Sequence, residues 1–408
     1  MDGGQQLGIY VSVPFCRAKC SFCNFASGVG SASSVEQYVE RLIAEIHALH
    51  GWAARQSIVC PSAADTVYFG GGTPSLLTSS QFVRVMQALR MEFRIAPHAE
   101  ITLEAAPGQI AGDLLEAAQR CGVNRVSLGV QSFVDAEARA VGRLHDGPQC
   151  LDEAARLRRE GVAEVGLDLI AGLPLQTRAS WRHSLEQSVA SGATHLSIYM
   201  LEVDEDSRLG LEVLAGGTRF HAHAVPDPER AADLYDEACE WLGGAGFEQY
   251  EISNFARLDG AASHRSRHNA KYWQRVPYVG LGLDAHSMLR REGACALRWA
   301  NTAELLRYQR SDTIREITEV GLDAAFEEAL FLGLRMSDGV RVRALHDEFG
   351  AARVKDAARV VQEMSEAGMM QADGERWSLT QRGRAVSNEV FERLLLDSAA
   401  QTEKEMVA

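Results

Sequence analysis

Residues 10–25 read Y-V-S-V-P-F-C-R-A-K-C-S-F-C-N-F. A short apolar run ends at Pro14 and three cysteines follow, Cys16, Cys20 and Cys23, in the spacing C-x3-C-x2-C. Thiolate is the ligand that iron–sulfur clusters and zinc prefer, and three thiols this close can converge on one soft metal centre. Zinc wants a fourth Cys or His nearby, and none occurs before His47. The spacing therefore points to a [4Fe–4S] cluster held by three protein thiolates, with one iron left for a non-protein ligand. The plainer alternative is three reduced cysteines that simply pack.

Outward from this stretch, strand-like runs alternate with amphipathic helical stretches, the pattern of βα units in a parallel sheet. Six strands are expected, at Ile9–Val13, Thr66–Phe69, Ile101–Glu104, Arg125–Leu128, Val165–Ile170 and His195–Met200. Helices are expected at Val35–Leu49, Ser79–Phe93, Gly112–Arg120, Pro148–Arg159 and Ala179–Ser191. In the first of these, Val39, Leu42, Ile43 and Ile46 share one face at helical spacing. Six units fall short of the eight of a closed barrel, so the expected fold class is α/β, a partial (β/α)6 barrel.

Barrels of this kind place chemistry at the carboxyl ends of their strands, and the unusual residues collect there. The cysteine loop follows the first strand and Gly70-Gly71-Gly72-Thr73-Pro74 the second; Glu104 closes the third. Gln131 and Arg143 follow the fourth, Asp168 lies near the end of the fifth, and Tyr199 and Glu202 mark the sixth. A glycine run alone is often only a tight turn. With Pro74 fixing its exit, this one also lets backbone carbonyls approach a small cationic group. Carboxylates accept from hydroxyls and amines, and a guanidinium forks onto a carboxylate. Taken singly, Gln131 and Arg143 are ordinary polar residues; it is their joint order that suggests a site.

A second stretch, Ser263–Trp273 (S-H-R-S-R-H-N-A-K-Y-W), sets His268, Asn269, Tyr272 and Trp273 among Arg265, Arg267 and Lys271. His264 and His268 read as one helical turn apart. An imidazole beside aromatic surface and guanidinium groups suits a dianionic tetrapyrrole. On composition alone, a basic surface loop with a satisfied histidine is the simpler reading. His221 and His223, in F-H-A-H-A-V, are a weaker metal-ligand pair, and Glu202–Asp206 reads as a solvated acidic loop.

The cysteine spacing, with an aromatic before the third Cys, resembles the signature of the radical S-adenosylmethionine (SAM) superfamily. The further strings G-G-T-P, L-E-A-A-P-G, G-V-Q-S-F, V-G-R-L-H, L-D-L-I-A-G-L-P, Y-E-I-S-N-F-A, H-N-A-K-Y-W and G-L-G-L-D-A-H-S are similar to the HemW group. These are haem chaperones related to the oxygen-independent coproporphyrinogen III oxidase, HemN. The resemblance covers nearly the whole chain. It implies a [4Fe–4S] cluster on Cys16, Cys20 and Cys23. It also implies SAM on the open iron, contacted by Tyr10, Phe22, Gly72, Thr73, Glu104, Gln131, Arg143 and Asp168, and haem at His268, Asn269, Tyr272 and Trp273. In the superfamily an electron from the cluster cleaves SAM to a 5′-deoxyadenosyl radical, hard chemistry that belongs to the cofactor. The oxidase carries a further cysteine where this chain has Phe25, and a long extension where this chain has fifteen residues ahead of Cys16. The implied function is haem binding and transfer to an acceptor protein, without coproporphyrinogen oxidase activity; an oxidase-like or haem-modifying radical enzyme is the alternative. Ser12 stands where the family commonly has His, and Ala106 where Asn is usual.

A net charge of −14 argues against nucleic acid as the main partner. The opening M-D-G-G-Q-Q-L-G has no basic-then-apolar signal, and no apolar run is long enough to cross a bilayer. A cytoplasmic protein is expected, meeting an electron donor, a haem acceptor and, at most peripherally, membrane haemoproteins. Cys60, Cys121, Cys150, Cys239 and Cys295 are scattered singly, as reduced structural cysteines are.

The expected organisation is a barrel over 1–205, a middle region over 206–312 with a helix at Pro228–Gly243, an α+β winged-helix-like domain over 313–397, and a tail over 398–408. In the third part, helices are expected at Phe326–Arg335, Val342–Phe349, Arg353–Gly368 and Arg382–Leu396, with a two-stranded wing at Met370–Thr380. Ten Lys/Arg against thirteen Asp/Glu over Asp323–Leu396 make this domain a poor DNA reader.

Overall fold

The computed structural model describes residues 6–260, 262–310 and 314–395. Six strands carry the barrel: β1 (Leu7–Val13), β2 (Ala63–Gly71), β3 (Arg94–Ala105), β4 (Arg125–Gln131), β5 (Glu164–Ala171) and β6 (His195–Met200). They lie side by side in chain order, each parallel to the next. Helices α1 (Ala32–Arg55), α2 (Ser79–Glu92), α3 (Gly112–Arg120), α4 (Asp135–Ala140), α5 (Gly147–Arg159) and α6 (Arg178–Ala190) connect them. The expected α/β partial barrel is present, with its five expected helices and one more, α4.

Local sequence explains these elements. On β1, Leu7, Ile9, Val11 and Val13 are fully buried among the apolar residues that pack the sheet against its helices. The alternate residues face inward, where Tyr10 stacks on Tyr68 of β2. Helix α1 starts at Ser31, whose side chain accepts from the Ser34 amide, and it buries Val39, Leu42, Ile46 and Leu49 at helical spacing. The barrel interior is polar: Thr66, Glu100, Thr102, Arg125, His195 and Ser197 are all buried there. Each such group needs a partner in the fold. Glu100 and Arg125 pair at 3.2 Å.

The sheet extends beyond the six expected strands. Next to β6 lie β7 (Phe247–Gln249), β8 (Asn254–Asp259) and β9 (Ala262–Ser263), all antiparallel. On the other side β10 (Tyr278–Leu281) pairs parallel with β1, and β11 (His286–Arg290), β12 (Ala296–Asn301) and β13 (Ile314–Val320) follow antiparallel. Both edges of the six-stranded barrel, β1 and β6, are thereby paired, and the edges of the whole sheet move out to β13 and β7.

The C-terminal part packs helices Leu322–Arg335, Val342–Phe349 and Ala351–Glu366 on a small sheet of Val340–Arg341, Met370–Ala372 and Arg376–Leu379. It has its own apolar cluster, including Phe326, Leu334, Phe349, Val360 and Trp377. The expected wing turn is there: the Asp373 carboxylate accepts from the amides of Glu375 and Arg376, and Gly374 supplies the positive φ of 87°. The expected final helix is broken: Gln381–Ala385 ends at Val386, and the chain is helical again over 387–395. Leu396 and the expected tail lie outside the described residues. Among the described residues, no helix is long and apolar enough to cross a membrane.

Candidate cofactor site at the barrel mouth

The loop after β1 is tied shut at its base: the Cys16 amide donates to the Gly28 carbonyl and the Gly28 amide to the Pro14 carbonyl, each at 2.9 Å. Its far side is held by Lys19 Nζ on the Phe25 carbonyl at 2.9 Å and by the Ser21 amide on the Val141 carbonyl at 3.1 Å. Gly72 and Thr73 lie against this base, their amides donating to the carbonyls of Val13 at 2.9 Å and Phe15 at 2.8 Å. A Cβ on Gly72 would sit 2.8 Å from the Phe15 nitrogen and from the carbonyl oxygens of Phe15 and Val13, so only glycine fits there.

One cavity of about 780 Å³ gathers most of the expected site residues: Cys16, Cys20, Cys23, Phe22, Gly72, Thr73, Glu104, Gln131, Arg143 and Asp168 all line it. They come from the ends of five strands and the loops that follow, the arrangement expected of the barrel mouth. Arg143 Nη1 reaches Cys20 Sγ at 3.3 Å, its Nη2 donates to the Gly129 carbonyl, and its Nε is buried with no partner. Thr73 Oγ1 lies 3.6 Å from Cys16 Sγ. Burial pushes the Cys23 thiol up from its ordinary range. Gln131 sits at φ 69°, a left-handed backbone rare outside glycine and a mark of a constrained site. Among the described residues no three His, Cys, Asp or Glu side chains are gathered as a ready metal cage. The three thiols line a common wall, and a cluster would draw them together.

Two carboxylates form the floor. Glu104 accepts from the Tyr68 hydroxyl at 2.6 Å; withdrawal from water, with the nearby charge of Asp168, pushes its carboxyl up to about 7. Burial also raises Asp168, which takes the Ser127 hydroxyl at 3.2 Å on both oxygens. Burial thus disfavours the charged form of both acids, a penalty that an entering cation would offset. His145 of V-G-R-L-H is buried and its Nε2 lies 3.0 Å from the Val130 carbonyl. Burial and the charge of Arg143 hold it down at about 4, so it braces the end of β4 as a neutral group.

Tyr10 does not line this cavity. It faces a smaller one, of about 300 Å³, on the other side of Gly71 and Gly72, with Tyr272, Asp284 and His286.

The expected haem residues are placed differently from the sequence reading. Arg267–Trp273 is a short helix plugged into the closed end of the barrel. Glu100 receives the amides of Arg267 at 3.1 Å and His268 at 2.9 Å, and Ser266 Oγ that of Asn269. Its cations are matched from afar: Lys271 and Arg267 pair with Asp65, and Arg265 with Glu248 and Asp338. His268 is 1% exposed, with Nδ1 2.8 Å from Thr66 Oγ1 and Nε2 2.9 Å from the Tyr272 hydroxyl. Burial and the Lys271 charge hold it neutral, at about 3. Both nitrogens are engaged, so this imidazole has no free position for iron. His264 is not on that helix; it precedes it, wedged between Glu164 at 2.9 Å and Asp259 at 2.6 Å. His221 and His223 are exposed on a short turn. Asn269 reaches a 40 Å³ internal space beneath Glu104 and Asp168, and Trp273 lies under the Arg335 guanidinium at 4.3 Å.

The large cavity also has residues that the sequence reading passed over. Met200, Arg335 and Arg384 line it, the last two from the C-terminal part. Nothing in their local sequence marks them.

A partial barrel whose first strand leads into a three-thiol loop, facing a Gly-Gly-Thr turn and a carboxylate floor, defines a radical SAM protein. The family model of the radical SAM superfamily matches residues 10–187, and that of the HemN C-terminal domain matches residues 322–386. The heme chaperone HemW of Lactococcus lactis is 30% identical over 95% of this chain and 97% of its own length. The heme chaperone HemW of a Synechocystis species is 35% identical over 81% and 78%. The mitochondrial radical S-adenosyl methionine domain-containing protein 1 of Bos taurus is 31% identical over 96% and 88%. Among solved structures, coproporphyrinogen III oxidase (HemN) from Escherichia coli superposes with a TM-score of 0.79 at 22% identity, over 96% of this chain and 90% of that one, a likeness of fold. The chain belongs to the HemW family.

Proposed function

We propose that this protein holds a [4Fe–4S] cluster on Cys16, Cys20 and Cys23, binds SAM beside it, and carries haem for delivery to an acceptor protein. The donor set fits the first two groups: three thiols, a guanidinium with an orphaned Nε and two acids of raised pKa open on one cavity. When bound, such a cluster supplies an electron and an iron corner that chelates SAM. This chain's own part is positioning. Gly72 and Thr73 bring backbone close to the methionine end of SAM, Arg143 faces its carboxylate, and Glu104 and Asp168 face its hydroxyls and positive charge. Gln131 and Phe22 line its bed; Tyr10 backs the glycine turn from the far side.

The haem reading rests on membership of a family whose curated members are named heme chaperones. The same cavity, of about 780 Å³, lies within the usual range of ligand pockets. His268, Asn269, Tyr272 and Trp273 then support the cavity from below, with His268 reaching haem only if its helix leaves the barrel. The proposed setting is the cytoplasm, with a reductant protein and an acceptor haemoprotein as partners. Loading the protein with haem and adding an apo-haemoprotein tests it: transfer followed by absorbance supports a chaperone. Repeated conversion of coproporphyrinogen III with SAM and reductant would make it an oxidase instead.

A further inference from the structure

The wall of the large cavity opposite the carboxylate floor comes from the C-terminal part of the chain. Arg335 ends the helix Leu322–Arg335, and Arg384 sits in the short helix Gln381–Ala385; both line the cavity. The C-terminal part is anchored to the middle region, with the Ser337 amide on the Tyr250 carbonyl at 2.9 Å and a bridge between Glu251 and Met336. Those contacts fix where Arg335 points.

Arg335 is held from two sides: its guanidinium lies over Trp273, 4.3 Å from the ring centroid, and its Nη2 pairs with the buried carboxylate of Glu251 at 3.7 Å, an ion pair longer than a hydrogen bond. Arg384 donates to the Leu379 carbonyl at 3.2 Å and has no carboxylate within ion-pair distance among the described residues. The Nε of each arginine is buried with no partner. Arg384 thus brings to the cavity wall a cation with no acid paired to it among the described residues, and Arg335 a second whose one acid stands beyond hydrogen-bond distance, so a carboxylate that arrives with a ligand meets two guanidinium groups there. Between this wall and the floor, Ile198, Met200, Leu201 and Ile252 supply an apolar flank. Two guanidinium groups beside an apolar slot match a flat apolar molecule that carries carboxylates on one edge.

We infer that Arg335 and Arg384 bind the two propionates of haem, seating its macrocycle against the Ile198–Leu201 flank. The inference rests on the haem reading above and gives the H-N-x-x-Y-W segment a part in it, because Trp273 holds the Arg335 guanidinium in place.

The test compares haem with its dimethyl ester, in which both propionates are neutral, by absorbance titration of the cluster-loaded, SAM-bound protein. The wild type is expected to favour haem over the diester by ~10-fold or more. Arg384→Ala and the Arg335→Ala/Arg384→Ala double variant are expected to weaken haem binding by about the same factor and leave the diester unchanged. Cluster absorbance and circular dichroism check folding, and Arg384→Ala is the cleaner variant because no buried acid depends on it. A folded double variant that kept the wild-type preference for haem would overturn the assignment. Wild type that bound haem and diester equally would also overturn it while leaving haem binding intact; wild type that bound neither would remove the haem reading itself.

Discussion

The Nε2 of His268 lies 2.9 Å from the hydroxyl of Tyr272, and its Nδ1 lies 2.8 Å from Thr66 Oγ1. The ring joins the plug helix to β2 and holds Tyr272 at the wall of the smaller cavity. Replacing it leaves two buried hydroxyls short of a partner. His268→Ala is therefore expected to cost about 1–3 kcal/mol of stability, read by denaturant unfolding, with little change in haem affinity. Loss of haem binding at unchanged stability would make the ring a ligand.

Glu104 is expected to set how SAM binding follows pH. Burial holds its carboxyl up at about 7, so it is largely neutral at pH 6 and largely ionised at pH 8. Only the ionised form attracts the positive charge of SAM. Affinity is expected to rise about tenfold across that interval, and Glu104→Gln to flatten the profile at weak binding. Calorimetry on cluster-loaded protein measures both, and an unchanged slope in the variant would move the titrating group elsewhere.

Gly72→Ala tests the close approach of the turn to the cysteine loop. Its Cβ would meet three backbone atoms at 2.8 Å, none of which can rotate away. The expected cost is about 1–3 kcal/mol, with weaker SAM binding because the loop base must shift. A variant as stable as the wild type would show that the loop base yields without strain.

Much of this was legible in the sequence. The apolar runs of β1 and β6 announce buried parallel strands, and His195–Met200 is found where expected. The sequence reading does not foresee the strands β10–β13, because they mix polar with apolar residues. β3 begins at Arg94, seven residues before the apolar run at Ile101; its opening residues are mostly exposed or half-buried and include Pro97, which hides them from a strand reading. α4 has only six residues, too few to show helical periodicity. The plug helix was the hardest to read. Its cations look like a solvated or ligand-binding surface until Asp65 is seen to pair with Arg267 and Lys271, and Glu248 with Arg265 just ahead of the helix. Those acids lie far away along the chain, beyond any local pattern. Arg335 and Arg384 were missed for the same reason: only the packing of the C-terminal part brings them to the cavity.

The central claim is that the thiols of Cys16, Cys20 and Cys23 hold an iron–sulfur cluster with an iron corner open to SAM. Anaerobic reconstitution with iron and sulfide, followed by electron paramagnetic resonance of the reduced protein with and without SAM, tests this most directly. The wild type is expected to give a cluster signal that shifts when SAM is added, and the triple alanine variant none. A signal that survives loss of the three cysteines, or that is indifferent to SAM in the wild type, would contradict the account.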